Sequence, residues 1–136
     1  MSTYHWPVRV YYEDTDAGGV VYYANYLKFM ERARSEWLRA LGVEQDQLRV
    51  EASALLMVHS LSVQYLRPAK FNQQLSVTVE VNHLGRAKVG FRQGILCDDQ
   101  LLCQGEVTIA CVSEINGKPM AFPTQLKEAF QGVLVR

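Results

Sequence analysis

One long helical pattern, set among five strand patterns, is the feature that most limits what this chain can fold into. Over residues 24–41 the apolar positions recur every three or four residues, which puts Tyr26, Met30 and Trp37 on one face of a helix. Alternating apolar residues, which are typical of strands, occur at residues 6–12, 61–65, 75–81, 89–97 and 103–111. The pattern therefore predicts a strand, a long helix and then four more strands.

Short turn sequences at residues 84–86 and 98–100 join predicted strands and favour antiparallel neighbours. One amphipathic helix can cover one face of a twisted five-stranded sheet. We therefore predict an α+β fold with an antiparallel five-stranded sheet and one long central helix, in a single domain over residues 1–136. Further helical turns are predicted at residues 44–51 and between Pro123 and Phe130. Such a lone sheet leaves its edge strands open, and pairing of edges between subunits would cover them.

Composition limits the partners that this chain can have. It has 136 residues, of which 49% are apolar, and its formal net charge is zero. Zero net charge argues against binding to nucleic acid or to an anionic membrane. No apolar run approaches the length of a membrane span, and the first residues lack the charged and apolar regions of a signal peptide. We therefore expect a soluble, cytoplasmic protein.

Three cysteines, Cys97, Cys103 and Cys111, fall inside predicted strands. An odd number leaves one thiol unpaired in any disulfide scheme, and the spacing matches no common zinc pattern. They are expected to act as small hydrophobic residues of the core.

The segment between the first strand and the helix carries the residues best suited to chemistry. The carboxylates of Glu13, Asp14 and Asp16 precede two adjacent glycines, Gly18 and Gly19. A helix start supplies unpaired N–H donors and a partial positive charge, and a nearby carboxylate can act as a base or a nucleophile. The glycines permit a tight turn and the close approach of a ligand. The residues alone also allow Asp16 to be no more than a cap of the turn or helix.

This segment resembles a family signature. Residues 16–22, Asp-Ala-Gly-Gly-Val-Val-Tyr, with Asn25 and Tyr26 after them, are similar to the signature of hot-dog-fold acyl-CoA thioesterases of the 4-hydroxybenzoyl-CoA thioesterase type. Residues 6–12 and 31–34 are similar to those of the YbgC type, the group associated with the Tol–Pal cell-envelope system. The resemblance implies the hot-dog fold, a curved antiparallel sheet wrapped around a central helix. It also implies homodimers or homotetramers with active sites between subunits.

The function implied by the resemblance is hydrolysis of acyl-CoA thioesters, with aliphatic acyl groups favoured over 4-hydroxybenzoyl. Asp16 corresponds to the catalytic aspartate, as general base or nucleophile. The backbone N–H of Tyr23 corresponds to the donor that polarises the thioester carbonyl. No metal is implied, and no cofactor, because coenzyme A is part of the substrate. The expected substrate-binding residues are Gly18, Gly19, Val20, Tyr22, Asn25, His59 and Arg67.

Several residues depart from these roles or compete for them. Glu13 and Asp14 lie nearer the first strand and are expected to be structural or to support the catalytic residue, and not to be catalytic themselves. The YbgC type often has His where this chain has Tyr23, so any proton transfer by that His is absent here or falls to the phenol. His59, which is predicted to lie at the start of strand 61–65, is by itself more typical of a structural residue. The spacing of the loop acids fails the EF-hand pattern, which excludes that calcium site.

Two other functions remain open from the sequence. A hot-dog dehydratase or hydratase would pair its acid with a catalytic His, but the residue five positions after Asp16 is Val21. The alternative from a different class is a non-catalytic acyl- or CoA-binding module, or an assembly partner in cell-envelope or phospholipid metabolism. No Gly-x-Ser-x-Gly elbow offers a competing nucleophile.

Overall fold

Five strands form one antiparallel sheet in the computed structural model, which describes residues 3–135. Their order across the sheet is β1-β3-β4-β5-β2, so β1 and β2 are the two edges. A 3₁₀ turn at Tyr12–Asp14 lies between β1 and the first helix. The bounds of the strands and helices are β1 Tyr4–Arg9, α1 Asn25–Ala40, α2 Gln45–Ala52, β2 Ala54–Tyr65, β3 Gln74–Leu84, β4 Lys88–Cys97, β5 Gln100–Ser113 and α3 Thr124–Val133. The predicted α+β hot-dog fold is confirmed in class, strand number and helix order.

Two departures from the predicted strand bounds bear on the site. The prediction extends the first strand to residue 12, but β1 ends at Arg9 because the Asp14 carboxylate accepts the Tyr11 N–H at 2.8 Å and turns the chain. The second strand starts earlier than predicted, at Ala54. Residues 54–58 are apolar at every position and therefore show no alternation. His59 consequently lies in the middle of β2, beside a bulge, and not at the start of a strand.

The central helix α1 packs on the sheet and contacts β3 most extensively. Its buried face follows the helical period that the sequence shows. The strand β3 contributes every second residue to the same core, which is the strand period. The buried residues of the two elements are Tyr26, Phe29, Met30, Ala33, Trp37 and Leu38 on α1, and Leu75, Val77, Val79 and Val81 on β3.

Four aromatic residues seal the C-terminal half of α1. Phe130 of α3 stacks on Trp37 with ring centroids 5.9 Å apart, and it meets Phe91 and Phe122 edge-on at 6.0 and 5.3 Å. All four rings are at most 6% exposed. Edge-to-face and stacked pairs add to the stabilisation that burial alone supplies. The tail helix α3 is therefore part of the core of this protein.

The two edges of the sheet differ in length and exposure. The outer edge β1 has six residues and contains Pro7, whose missing N–H weakens it as a template for further pairing. The other edge, β2, has twelve residues. Its large apolar side chains Met57, Val58 and Leu61 are 54%, 56% and 42% exposed. An open edge of that length and composition is suited to pairing with another chain.

The three cysteines are free, as expected, with Cys103 and Cys111 buried and Cys97 partly buried. Burial raises the pKa of Cys103 to about 11. These thiols are therefore protonated at neutral pH and behave as core residues.

Candidate active site

Asp14 ties the loop between β1 and α1 together. Its carboxylate accepts the Tyr11 N–H at 2.8 Å. Its backbone carbonyl accepts the Tyr22 N–H at 2.9 Å and the side-chain amide of Asn25 at 2.9 Å. Asp14 therefore has a structural part, as predicted. Through this bond the Asn25 side chain contacts the backbone of the loop.

Asp16 stands at the tip of a tight turn, and its side chain is exposed. Its backbone N–H donates to the Val20 carbonyl at 2.9 Å, and Gly19 N–H donates to the Asp16 carbonyl at 3.0 Å. One carboxylate oxygen, Oδ1, accepts the Gly18 N–H at 2.8 Å. The other oxygen, Oδ2, has no hydrogen-bond partner among residues 3–135. One bond orients this carboxylate, while its second oxygen remains available.

Gly18 and Gly19 are each favoured by a different local constraint. Gly19 has a φ of +80°, a conformation that residues with a Cβ adopt only at an energetic cost. At Gly18 a Cβ would lie 3.2 Å from Asp16 Oδ1, so any larger residue would press on the carboxylate. The glycine pair of the sequence thus sets the turn and leaves room beside Asp16.

The start of α1 presents unpaired backbone donors. Asn25 N–H donates to Tyr22 O at 2.8 Å, and Leu27 N–H to Ala24 O at 3.2 Å. Within the part of the chain that the structure describes, the N–H groups of Tyr23 and Ala24 donate to no acceptor. Unpaired donors at a helix start carry a partial positive charge and favour a negative or polarised oxygen. The predicted donor, Tyr23 N–H, is therefore free for a ligand.

Ala69 and Lys70, which follow β2, pair with the end of the Asp16 loop. Val21 N–H donates to Ala69 O at 2.8 Å, and Val20 pairs with Lys70 as an isolated bridge. Ala69 N–H donates to the phenol oxygen of Tyr26 at 3.0 Å. Burial raises the pKa of Tyr26, which keeps this phenol neutral at physiological pH. Tyr26 and Ala69 are supports of the loop that sequence reasoning missed, since they are 43 residues apart.

Tyrosine rings surround the helix start. Tyr65 lies 6.2 Å from Tyr23 and 5.5 Å from Tyr26 between ring centroids, and its hydroxyl donates to the Tyr23 carbonyl at 3.2 Å. Tyr22 lies 4.9 Å from Tyr23. Tyr22, Tyr23 and Tyr65 are each at least 46% exposed. The sequence marks Tyr65 only as a strand residue, and its place beside α1 is visible only in the fold.

The predicted binding residues are not all brought together. Gly18, Gly19, Val20 and Tyr22 lie in the loop beside Asp16. Arg67 follows Tyr65 by two residues, and its side chain is exposed. His59 is six residues from Tyr65 along β2, or about 20 Å at the strand rise, and its Nε2 lies 3.2 Å from Lys88 Nζ. Within one protomer His59 is therefore far from the Asp16 loop.

A cavity of about 120 Å³ lies between the middle of α1 and the sheet, where Arg34 forms part of its wall. Arg34 Nη1 donates to the side-chain carbonyl of Gln93 at 2.8 Å. Gln93 is fully buried and donates to Met30 O at 2.9 Å. Burial lowers the pKa of Arg34 from its ordinary value. The remaining lining residues are Glu31, Ser35, Leu38, Gln45, Leu56, Val58, Phe91, Ile109 and Phe130.

Among residues 3–135 no group of three or more His, Cys, Asp or Glu side chains is arranged to hold a metal ion. Over the same residues no helix has the length and apolar character needed to cross a membrane.

Comparison with known proteins decides the family. The thioesterase-like superfamily matches this chain over residues 10–130, which includes the whole Asp16 loop and α1. The chain belongs to the thioesterase-like superfamily. The acyl-CoA thioesterase YbgC of Haemophilus influenzae is 44% identical to this thioesterase-like chain over 127 residues, covering 93% of each protein. The protein named acyl-CoA thioesterase YbgC from Helicobacter pylori J99 is 32% identical and covers 92% of this chain and 98% of its own.

Solved structures agree with that assignment. A probable thioesterase from Bartonella henselae superposes with a TM-score of 0.85 at 35% identity, covering 89% of this chain and 99% of its own. The DHNA-CoA thioesterase from Staphylococcus aureus has a TM-score of 0.90 at 23% identity, covering 98% and 91%. At that lower identity the likeness shows the fold alone. The predicted family is confirmed.

Proposed function

We propose that this member of the thioesterase-like superfamily hydrolyses acyl-CoA thioesters to a free acid and coenzyme A. The observation that carries the proposal is the pairing, in one loop, of an available Asp16 oxygen with an unpaired Tyr23 N–H at a helix start. A carboxylate beside an unpaired donor can attack or activate water at a carbonyl that the donor polarises. The relatives named acyl-CoA thioesterase support the same reaction for this chain.

In the proposed mechanism the thioester carbonyl oxygen accepts the Tyr23 N–H. One such donor contributes roughly 2.7–4 kcal/mol in comparable oxyanion sites. As general base, Asp16 takes a proton from water, the water oxygen bonds to the acyl carbon, and the C–S bond breaks. The departing thiolate then receives the proton. As nucleophile, Asp16 instead forms a mixed anhydride and releases the thiolate, and water hydrolyses the anhydride. The geometry around Asp16 is compatible with both routes.

We propose that the complete site forms between two copies of this chain. Edge β2 is long and apolar, whereas edge β1 is short and contains Pro7. Antiparallel pairing of β2 with its copy would cover Met57, Val58 and Leu61 and give a homodimer, which could pair again into a tetramer. Tyr65 lies on this same strand and contacts Tyr23, so the pairing surface reaches the start of α1. This continuity supports an active site beside the interface.

The proposal also covers the two parts of the substrate. Resemblance to the YbgC type favours an aliphatic acyl group. The exposed cations Arg67 and Lys70 flank the segment under the loop and form no salt bridge within residues 3–135. They are therefore available to coenzyme phosphates. A cytoplasmic location and service to the Tol–Pal cell-envelope system complete the proposal. The location is expected from the sequence, and the Tol–Pal service rests on resemblance to the YbgC type.

The purified protein should be assayed with acyl-CoAs of graded chain length and with 4-hydroxybenzoyl-CoA, with coenzyme A release measured by chromatography. Chromatographic detection avoids interference from the three free cysteines. The proposal predicts catalytic turnover that is fastest on an aliphatic acyl-CoA. Binding of acyl-CoA without release of coenzyme A would contradict it and favour a non-catalytic binding module.

A further inference from the structure

Two aromatic rings form an exposed stacked pair beside the loop. Tyr12 and Phe71 have ring centroids 3.8 Å apart and an interplanar angle of 9°. Tyr12 is 77% exposed and Phe71 41% exposed, so the stack is not part of the core. A shallow groove runs along it, lined also by Arg9, Val10, Tyr11 and Asn72. We name this pair the Tyr12–Phe71 shelf.

Two cations, Arg9 and Lys70, lie near the Tyr12–Phe71 shelf, while the acids Glu13 and Asp14 follow Tyr12 in the chain. Arg9 Nη1 donates to the Asn72 carbonyl at 2.7 Å, which holds its guanidinium at the groove. Lys70 is adjacent to Phe71 in sequence and exposed. Neither cation has a carboxylate within salt-bridge distance among residues 3–135. A flat apolar ring face flanked by free cations suits a ligand that combines a nucleobase with phosphates.

The Tyr12–Phe71 shelf lies close to the Asp16 turn along the chain. Tyr12 precedes Asp16 by four residues, which limits their Cα separation to about 14 Å. The pantetheine arm of coenzyme A has about the same number of chain bonds as four extended residues and therefore a similar reach. Lys70 also pairs with Val20 of the same loop, so both halves of the shelf adjoin the Asp16 turn. The nucleotide end of a thioester held at Asp16 can therefore reach this groove.

We propose that the Tyr12–Phe71 shelf stacks against the adenine of coenzyme A, with Arg9 and Lys70 contacting its phosphates. This inference rests on the proposed function and adds to it a site for the nucleotide end of the substrate. Stacking of a base on an aromatic side chain contributes about 1–3 kcal/mol, which corresponds to roughly 5- to 150-fold in affinity.

The test compares two substrates that differ only in the nucleotide. The kcat/KM for acyl-CoA divided by the kcat/KM for the matching acyl-pantetheine reports what the nucleotide contributes. Tyr12→Ala should lower that ratio about tenfold, and Tyr12→Trp, which keeps a flat ring, should restore most of it. Ile115→Ala is the matched control, because Ile115 is a comparably exposed apolar residue (82%) outside the groove. Its ratio should equal that of the wild type.

A second measurement tests the shelf without any turnover. Calorimetric titration with adenosine 3′,5′-bisphosphate should show binding to the wild type that weakens about tenfold in Tyr12→Ala. Failure of the proposed function alone would remove catalysis of both substrates and leave this binding in place. An unchanged kcat/KM ratio and an unchanged dissociation constant in Tyr12→Ala would overturn the inference. A lower oligomeric state of Tyr12→Ala by light scattering, with nucleotide binding unchanged, would also overturn it and make the shelf a subunit contact.

Discussion

The two ends of α1 differ in burial and in how their polar groups are paired. At its start, the N–H groups of Tyr23 and Ala24 are unpaired within the described residues, and the side chains of Tyr22 and Tyr23 are exposed. Near its end, Trp37 is 3% exposed and stacks on Phe130. One helix therefore combines a terminus with unpaired, exposed groups and a terminus sealed in the core.

This comparison predicts that substitutions at one end of α1 affect stability and that those at the other end affect activity. Changes near residue 37 should unfold the protein without altering the chemistry of the molecules that remain folded. Changes near residues 16–23 should alter the chemistry without unfolding the protein. Tyr26, the second residue of α1, bonds to Ala69 of the supporting segment, and its substitution should show both effects.

The largest effect on stability is expected from Phe130→Ala. Phe130 is fully buried and contacts Trp37, Phe91 and Phe122, so its truncation leaves a cavity and should lower the free energy of unfolding by about 3–5 kcal/mol. Urea denaturation measures this loss. At low temperature, kcat per folded molecule should stay near that of the wild type. A kcat per folded molecule that falls together with stability would contradict the proposed difference between the two ends of α1.

A smaller effect on stability is expected from Tyr26→Phe. The substitution removes the oxygen that accepts the buried Ala69 N–H and leaves that donor unsatisfied, which costs about 1–3 kcal/mol. Because Ala69 also holds Val21 of the loop, kcat should fall as well. Thermal denaturation and steady-state kinetics on the same preparation test both parts. Loss of stability with an unchanged kcat would show that this support does not position the loop.

The smallest effect is expected from Tyr23→Phe. The proposal uses the backbone N–H of Tyr23, and Phe retains that donor while it removes only an exposed hydroxyl. Activity and thermal stability should both stay close to wild type. A loss of more than about 100-fold in kcat/KM with unchanged stability would place the phenol in the mechanism.

The sequence predicted the parts of this molecule that depend on local pattern. The period of the apolar residues located α1 and β3, and the acids and glycines of residues 13–19 located the loop that carries Asp16. The resemblance to a known family then singled out Asp16 and the Tyr23 N–H, and the structure shows both groups available. Their catalytic role stays a prediction.

The remaining features depend on contacts between distant residues. The hydrogen bond of Ala69 to Tyr26 and that of Gln93 to Met30 join residues 43 and 63 positions apart, and no local pattern marks them. The start of β2 was missed because residues 54–58 are apolar on both faces, which hides the strand period. The same error placed His59 at a strand start, whereas it lies in the middle of an edge.

The central claim is that Asp16 performs the chemistry and contributes little to the fold. Asp16→Asn keeps the shape of the side chain and an oxygen that can accept the Gly18 N–H, but it removes the base or nucleophile. The measurement is kcat for the best acyl-CoA substrate, together with the thermal midpoint of the same sample. We predict that kcat falls by about 10²–10⁴ while the midpoint is unchanged. Acyl-CoA hydrolysis near the wild-type rate by correctly folded Asp16→Asn would contradict the account.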